Sequence, residues 1–553
     1  MTDSSKVSIN KIALTAGLIS FLVFLRAVAG DFVNYDDPRF IMDNPGIRTL
    51  DGSMIVAAFT QQFSNDYWAP LTWISFAIDY HFWGLNPVGY HLVNILLHAV
   101  NTALVVLLAD RLLKGLSGGD ENGASKEEGG FLYPGMLLLA GLLWGVHPLR
   151  VESVAWVAER KDVLYGMFAL GSVLCYLRDA ETVKMGGAGG ERRYYLYSLI
   201  LFLLALMAKP TSVFLPMLLV VADWYPFDRL RKGKFTRALV EKLPYFALAA
   251  VVTVLTIINM SKTTAPYSYS EFSFWERVVI SGYSIFEFCR LMIYPVGIHL
   301  FNTIALIFAN PIPAYAKTFA VFAFTCYCIH AGRKKPSVMA VWLSFLIPLL
   351  PTLAFFQVGV DVTYSTRHSY LAAVIPSIAA VAILAGIYKK ISEIGHRYLQ
   401  NLFVAAVAIV MVFHVSMTEH LISSWKNSGT LWSRVIQFNP VGRAYHYRAL
   451  YLAEIGQFSA AADDFLAAAD GANEAGNPEA FNYYAYAGDA FNRSGRYENA
   501  VAAFSTAIKL NPWPEYYYHR GLALKELGKV NEAAEDFRMA GGKRGEVEFH
   551  KMW

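Results

Sequence analysis

The sequence of 553 residues is 55% hydrophobic and only 16% charged, with a mean hydropathy of +0.36. A soluble protein carries about 25% charged residues, so the composition excludes a soluble globular chain and indicates a polytopic membrane protein. The net charge of +4 gives no reason to expect a nucleic-acid partner. Four cysteines lie in or beside apolar runs, where they act as small hydrophobic residues rather than as a disulfide framework or zinc site: Cys175, Cys289, Cys326 and Cys328.

Apolar runs long enough to cross a bilayer, which takes about 20 mostly apolar residues in a helix, recur along most of the chain. The first run is long enough to span and lacks a convincing small-residue cleavage site, so no cleavable signal peptide is expected. Residues 275–295 carry Arg277, Glu287 and Arg290 and are predicted to form an interfacial or re-entrant helix. The predicted fold class is all-α, a polytopic membrane helix bundle of about eleven spans, near residues 12–29, 90–113, 131–147, 152–177, 194–208, 211–227, 243–260, 312–330, 337–356, 368–388 and 400–418.

Basic residues cluster in alternate loops between these runs, as expected for the loops on the cytoplasmic side. Such clusters occur at 229–237, 333–335 and 389–397. The N-terminus is therefore predicted to be cytoplasmic. An odd number of spans then predicts that the C-terminal segment lies on the external side.

An acidic segment, residues 31–39, follows the first apolar run directly and carries three carboxylates. Two of them, Asp36 and Asp37, precede Pro38. The residue before a proline is disfavoured from helical angles, so the pair is predicted to lie on an irregular loop at the membrane surface. An isolated pair of this kind is usually a solvated turn; the other polar residues of the external loops favour a functional site.

The remaining external turns also present charged side chains, which are costly at a membrane and are usually paired or functional. Glu152 and Lys209 can each cap a helix or form an internal ion pair, and the run 159–162 can neutralise itself, so structural roles stay open for them. If the turns converge on the aspartate pair, they form one water-exposed site. Its candidate binding residues are His147, Arg150, Glu152, Arg160, Lys161, Asp162, Lys209 and Arg367.

This combination of residues suits glycosyl transfer from a lipid-linked phosphosugar. Asp36 or Asp37 would take a proton from an attacking hydroxyl, while the other acid positions the acceptor or raises its neighbour's pKa. Lys209 and Arg367 would hold the phosphate leaving group, and the apolar bulk would hold the lipid. No glycine-rich nucleotide loop is evident, which disfavours a soluble nucleotide-sugar donor. No histidines and carboxylates have convincing metal-ligand spacing, so no metal site is predicted, and the participation of a divalent cation is left open.

The chain beyond about residue 425 is alanine-rich, soluble in character and repetitive. Three similar segments begin at Gly456, Gly495 and Gly528, and each carries an aromatic residue on its second predicted helix. The last two begin 33 residues apart, and the first pair is stretched to 39 by an insertion. The period and pattern are those of tetratricopeptide repeats. The predicted domains are therefore a transmembrane domain, residues 1–420, and a repeat domain, residues 425–553.

The chain resembles the transmembrane and tetratricopeptide-repeat O-mannosyltransferase family and its bacterial relatives. The motifs that carry the resemblance are Asn34-Tyr-Asp-Asp-Pro38, His147-Pro148 with 152–162, Ala208-Lys-Pro210 and Asp223-Trp-Tyr-Pro226. The resemblance implies a membrane glycosyltransferase of the GT-C fold that uses a polyprenyl-phosphate sugar, with the catalytic acid in the first external loop.

By this resemblance, the catalytic acid is Asp36 or Asp37. The chain departs from the family pattern at Thr366-Arg367-His368, where relatives tend to carry Glu-Arg-Tyr, although Tyr370 is retained as a further binding candidate. The departure weakens the role of Arg367 more than that of the aspartate pair.

The first hypothesis is therefore a bacterial inner-membrane glycosyltransferase that modifies a protein or glycan acceptor on the external, periplasmic side, its repeats recruiting the acceptor. A non-catalytic membrane-anchored scaffold for envelope or secretion assembly is the alternative, but a scaffold needs no acids at its external turns. A transporter would place its charges near the bilayer midplane, whereas here they cluster at one face.

Overall fold

The computed structural model describes residues 8–60, 68–116, 132–184, 192–230, 235–261, 272–355 and 362–541. Residues 231–234 of one predicted cytoplasmic basic cluster lie outside these ranges. The described residues form helices and no β-strand; one isolated antiparallel bridge joins Thr303 and Val362. The predicted all-α class is confirmed.

Two compact units make up the chain. The membrane unit consists of Met1–Gly30 and Asp36–Ser423, and the repeat unit consists of Asp31–Tyr35 and Ser424–Trp553. The helices of the membrane unit are α1 Ile9–Phe24, α2 Gly52–Thr60, α3 Pro70–Trp83, α4 Pro87–Leu116, α5 Leu132–Gly145, α6 Val151–Ala155, α7 Arg160–Lys184, α8 Arg193–Ala208, α9 Leu215–Trp224, α10 Phe235–Val240, α11 Leu243–Ser261, α12 Phe274–Ile293, α13 Ile304–Ala309, α14 Pro311–Gly332, α15 Pro336–Leu349, α16 Ser369–Ala372, α17 Val374–Glu393 and α18 Arg397–Ser424.

Several of these helices are long and apolar enough to cross a bilayer, and the chain is an integral membrane protein. Within the described ranges, seven helical segments meet that requirement, and a pair bent by 50°, Leu132–Gly145 with Pro148–Ala155, gives an eighth. Three shorter apolar segments, 193–208, 210–224 and 336–352, match three more of the predicted spans. The total of eleven stays a prediction.

The segment with internal charges, predicted to be interfacial, forms helix α12. Its first turn is closed by a capping box, in which the Ser273 side chain accepts from the Glu276 N–H and the Glu276 carboxylate accepts from the Ser273 N–H. Arg277 and Glu287 are buried against the rest of the membrane unit. How α12 lies in the membrane stays a prediction.

The repeat unit consists of antiparallel helix pairs. The turn between the two helices of a pair contains a glycine with a positive φ: 78° at Gly456, 77° at Gly495 and 75° at Gly528. These angles favour glycine because it has no Cβ. Two of the three aromatic residues predicted on the second helices, Phe465 and Phe504, are completely buried between helices, and the third, Phe537, is half-buried. The helices are α19 Ser428–Phe438, α20 Gly442–Glu454, α21 Phe458–Glu474, α22 Ala480–Arg493, α23 Tyr497–Leu510, α24 Pro514–Glu526 and α25 Val530–Met539.

The five residues Asp31–Tyr35 belong to the repeat unit, which the sequence does not predict. The Asp31 N–H donates to the Lys426 carbonyl oxygen over 2.8 Å. Asp31 follows the first candidate span, Ile9–Ala29, and Lys426 follows the last, Arg397–Ser424. The residues that shortly follow these two candidate spans are therefore hydrogen-bonded to each other.

Candidate functional site

Most of the predicted site residues lie at or beside two short breaks in the helical path after α5. Pro148 interrupts the helix, and a 3₁₀ turn, Pro148–Arg150, leads into α6. A second 3₁₀ turn, Val157–Glu159, leads into α7. Because each break redirects the chain, α6 and the start of α7 turn their charged side chains into the interior of the membrane unit, where those side chains are buried.

Glu152 on α6 is buried and receives hydrogen bonds from the segment 365–367. The Thr366 hydroxyl donates to Oε2 over 2.5 Å, and the Ser365 hydroxyl donates to Oε1. Arg367 donates from its backbone N–H over 3.2 Å and from Nη1 over 2.6 Å. These donors compensate the loss of water around a buried carboxylate.

Glu159 and Asp162, at the start of α7, lie beside the same cations. The Arg367 Nε lies 3.3 Å from Glu159 Oε1, and the Lys161 ammonium lies 3.1 Å from the same oxygen. Lys209 donates to Asp162 Oδ1 and lies 3.8 Å from Glu159 Oε2. The structure thus joins residues from three predicted external turns into one buried ion cluster.

This ion cluster consists of three carboxylates and three cations: Glu152, Glu159, Asp162, Lys161, Lys209 and Arg367. Burial lowers the pKa of the Arg367 guanidinium, but the neighbouring carboxylates of Glu159 and Glu152 raise it, and the net pKa lies above its ordinary value. The opposite charges within the cluster are therefore balanced.

The two predicted catalytic acids lie in different environments. Asp37 is buried, and its Oδ1 accepts from the Ala158 N–H over 2.9 Å. Asp36 is half-buried, and its negative charge is among those that raise the pKa of Arg367. Asp36 is thus the more accessible acid of the pair, and it acts electrostatically on the ion cluster.

The prediction that this loop is irregular is wrong at Asp37. Asp37 has helical angles (φ −62°, ψ −37°) and precedes one turn of π-helix, Pro38–Met42. The hydrogen bond to Ala158 holds Asp37 in place, so a tertiary contact overrides the local preference against helical angles before proline.

Arg160 points away from the ion cluster. Its guanidinium lies 2.6 Å from the buried Asp79 carboxylate, and it also donates to Ser75 Oγ over 2.7 Å and to the Tyr90 carbonyl over 2.9 Å. The run 159–162 therefore does not simply neutralise itself, because Arg160 is paired with α3 instead.

Arg150 and Tyr370 are both completely buried and contact each other. Arg150 Nη1 donates to the Tyr370 carbonyl over 2.7 Å, and Nη2 donates to Ser369 Oγ over 3.0 Å. The Tyr370 hydroxyl lies 2.8 Å from His98 Nδ1 and accepts from Asn101 Nδ2 over 2.9 Å. These contacts fix the 365–370 segment, which supplies Arg367. Arg150 and Tyr370 therefore have a supporting role in the site.

A cavity of about 1100 Å³ lies inside the membrane unit and is lined almost entirely by apolar side chains of α4, α7, α9, α14, α15 and α17. His147 and Arg150 are the only histidine or cationic side chains among the described residues that line it. His147 donates from Nε2 to the Met292 carbonyl over 3.1 Å, and its Nδ1 accepts from the Leu149 N–H over 3.2 Å. Arg150 links this cavity, through Ser369, to the segment that carries Arg367.

Sequence reasoning missed the hydroxyl residues around Glu152 and the partner of Arg160. Ser365, Thr366 and Ser369 are polar residues next to an apolar run, and that pattern is the signal that could have identified them. Asp79 follows Ser75 by one helical turn, a spacing that places both on one face of α3. Among the described residues, no group of three or more histidine, cysteine or acidic side chains could hold a metal ion.

Comparison with known proteins identifies relatives that match up to 78% of this chain and a family model that matches part of the repeats. A family model for the TPR repeat matches residues 488–538. The chain is similar to the human protein O-mannosyl-transferase TMTC4, with 26% identity over 78% of this chain and 62% of the relative. It is similar to a Caenorhabditis elegans protein O-mannosyl-transferase, F38B6.6, with 22% identity over 78% of this chain and 58% of the relative.

One relative matches a shorter part of this chain at a higher identity. The mouse protein O-mannosyl-transferase TMTC4 is 34% identical over 36% of this chain and 27% of the relative. The chain spans less than two thirds of the length of each of these relatives. The predicted resemblance and the tetratricopeptide repeats are confirmed.

The burial of Asp37 predicts that its truncation lowers stability. Asp37→Ala leaves the buried Ala158 N–H without its acceptor, which costs about 1–3 kcal/mol, so the melting temperature should fall. Asp43→Ala, the matched control at an exposed aspartate of the same loop, should leave the melting temperature almost unchanged. Thermal unfolding of the detergent-solubilised proteins measures both. Equal melting temperatures for Asp37→Ala and the unchanged protein would contradict the buried role of Asp37.

Proposed function

We propose that this relative of the transmembrane and tetratricopeptide-repeat O-mannosyltransferases is a membrane glycosyltransferase that moves a sugar from a polyprenyl-phosphate donor to a protein hydroxyl. The observation that carries the proposal is the position of Asp36. This half-buried acid lies on the loop after the first span, one residue before Asp37, whose carboxylate accepts from the Ala158 N–H next to Glu159 of the buried ion cluster. Transfer from a phosphosugar needs an acidic residue that takes the proton of the acceptor hydroxyl and cations that stabilise the phosphate leaving group.

Asp36 is the general base in this proposal. Its carboxylate takes the proton of the acceptor hydroxyl as the hydroxyl oxygen forms a bond to the anomeric carbon of the sugar. The bond between that carbon and the phosphate oxygen breaks, and its electron pair leaves with the polyprenyl phosphate. Asp37, held by the Ala158 N–H, fixes the backbone next to the base.

The apolar cavity and the ion cluster support a lipid-linked donor. A cavity of about 1100 Å³ has room for several isoprene units, and its lining offers them apolar side chains. Arg150 lines the cavity and binds Ser369, two residues after Arg367. A donor whose lipid enters the cavity would therefore bring its phosphate towards the cations Lys209 and Arg367.

The proposed location is the bacterial inner membrane, with the N-terminus in the cytoplasm and the repeats in the periplasm. The alternating basic loops support the absolute orientation. The hydrogen bond between Asp31 and Lys426 supports a shared side of the membrane for the segment 31–35 and the repeats. Repeats on that side can recruit a protein acceptor to the enzyme.

Asp36→Asn should lower the rate of sugar transfer about 10²–10⁴-fold, the usual cost of losing a general base. The change keeps the size of the side chain, so the melting temperature should stay the same. Transfer is measured with a radiolabelled polyprenyl-phosphate sugar and purified protein in detergent. A variant that transfers sugar at the normal rate would contradict the proposed mechanism and favour the scaffold function.

Removal of cations from the cluster should weaken donor binding. Lys209→Gln removes a charge, and Arg367→Lys keeps the charge but loses the planar fork. Each should raise the apparent KM for the donor about 10-fold, because charge-assisted hydrogen bonds contribute about 1.5–3 kcal/mol.

The matched control for Lys209→Gln is Lys114→Gln, at an exposed lysine that pairs with Asp110, and it should leave the KM unchanged. Because Lys209 also balances Asp162 and Glu159, the melting temperature is recorded for each variant. A lower melting temperature with a normal KM would assign Lys209 a purely structural role.

The proposed orientation predicts the behaviour of a fusion protein. A reporter that is active only in the cytoplasm, joined after Trp553, should give no signal, and the same reporter joined after Arg333 should be active. A bright signal from the C-terminal fusion would place both the repeats and the acid loop in the cytoplasm.

A further inference from the structure

The large apolar cavity of the membrane unit has one charged residue in its lining. Of the described residues that line it, Arg150 alone is an arginine, lysine, aspartate or glutamate. Arg150 is completely buried, and its Cζ lies 5.5 Å from the centroids of both the Trp144 and the Tyr370 rings. A buried guanidinium in a membrane protein is costly unless another group offsets its charge. The partners of Arg150 therefore decide what the cavity can hold.

The hydrogen bonds of Arg150 leave part of its guanidinium unused. Nη1 donates to the carbonyl oxygens of Ser369 and Tyr370 over 3.0 Å and 2.7 Å, and Nη2 donates to Ser369 Oγ over 3.0 Å. Nε is buried and has no hydrogen-bond partner, and no carboxylate of the described residues pairs with Arg150. Carbonyl oxygens satisfy the N–H groups of Nη1, but they do not neutralise a full charge. Arg150 is therefore a buried cation that can still bind an anion.

The cavity lies along an apolar stretch of α17 that begins next to Arg150. The lining of α17 runs from Val374, four residues after the Tyr370 carbonyl that Arg150 binds, to Ile383. At about 1.5 Å per residue, this stretch of helix is roughly 14 Å long. Apart from Ser377, its lining residues are apolar. A cation at the Val374 end of this stretch is complementary to a chain molecule that carries an anion at one end.

We propose that Arg150 binds the phosphate of a polyprenyl phosphate whose isoprenoid chain occupies the cavity. This inference rests on the proposed function and names the part of the lipid carrier that Arg150 binds. A phosphate presents several oxygens, so a guanidinium can donate to it from two nitrogens at once, and it brings the negative charge that Arg150 lacks. Arg150 thereby joins Lys209 and Arg367 as a phosphate-binding residue. Unlike those two cations, it has no carboxylate partner among the described residues.

The site also has a consequence for the end of the reaction. The polyprenyl phosphate that is released on transfer keeps both the chain and the phosphate, so it can occupy the cavity after the sugar has left. It should therefore inhibit the enzyme in competition with the sugar-linked donor. Replacing Arg150 with lysine should weaken that inhibition, because lysine keeps the charge but loses the planar fork.

Binding of farnesyl phosphate, a short isoprenoid phosphate, to the detergent-solubilised full chain tests the proposal without a transfer reaction. Farnesol, which has the same chain without the phosphate, is the paired ligand, and native mass spectrometry measures both affinities. We expect the unchanged protein to bind farnesyl phosphate at least about 10-fold more tightly than farnesol. This preference should fall to within about 2-fold in Arg150→Gln and to an intermediate value in Arg150→Lys. A purely structural role of Arg150 would weaken both ligands alike and leave the preference intact.

Matched variants separate the charge from the space. Arg333→Lys, at an exposed arginine, should leave the preference unchanged. Ala380→Trp fills part of the cavity lining and should weaken both ligands about 10-fold or more, whereas Ala405→Trp, at an exposed position of α18, should weaken neither. Inorganic phosphate should not displace farnesyl phosphate, because it has no chain. If Arg150→Gln does not fold, Arg150→Lys and the two ligands on the unchanged protein decide the result.

The outcomes distinguish this inference from the proposed function. Equal affinity of the unchanged protein for farnesyl phosphate and farnesol overturns the phosphate site, and so does a preference that Arg150→Lys and Arg150→Gln retain in full; the proposed function then stands. Binding of the fatty acid palmitate as tightly as farnesyl phosphate, or displacement by inorganic phosphate, also overturns the site in favour of a carboxylate or a free anion. Selective binding by an unchanged protein that transfers no sugar overturns the proposed function and leaves the lipid-phosphate site in place.

Discussion

The membrane unit depends on the pairing of Glu159 with three cations. A carboxylate that is buried without a partner costs several kcal/mol, and Glu159 is almost wholly buried at the start of α7. Lys161, Lys209 and Arg367 approach it from α7, from the turn after α8 and from the turn before α16. One acid therefore ties together three parts of the chain that are far apart in sequence, and the site exists only when all three are in place.

The balance of charge in the cluster decides how a phosphate can bind there. Three carboxylates already neutralise three cations, so a phosphate cannot simply add to an empty positive site. It must instead bind N–H groups that the carboxylates do not use. In Arg367, Nη1 already contacts Glu152 and Ser365, and Nε contacts Glu159. A planar guanidinium with five N–H groups can hold carboxylates and a phosphate at the same time. The cluster is thus better suited to a transient anion than to permanent tight binding, and a leaving group must depart.

Hydropathy and repeat spacing predict the helices of this chain well because both depend on residues close in sequence. The predicted spans coincide with helices such as α4 and α14 to within a few residues, and the three turn glycines lie where the repeats predict them. The charged residues are less predictable because their partners are distant. Arg160 lies between Glu159 and Lys161 in sequence, yet it pairs with Asp79 on α3.

The acidic segment shows the same limit at shorter range. Asp36 and Asp37 are adjacent and carry the same functional group, and the only local difference between them is the constraint that Pro38 puts on the backbone of Asp37, which favours Asp36 as the base. The structure separates them because Asp37 meets the Ala158 N–H and is buried, whereas Asp36 is half-buried. The helical angles of Asp37 before Pro38 have the same origin, since a buried hydrogen bond outweighs a local conformational preference.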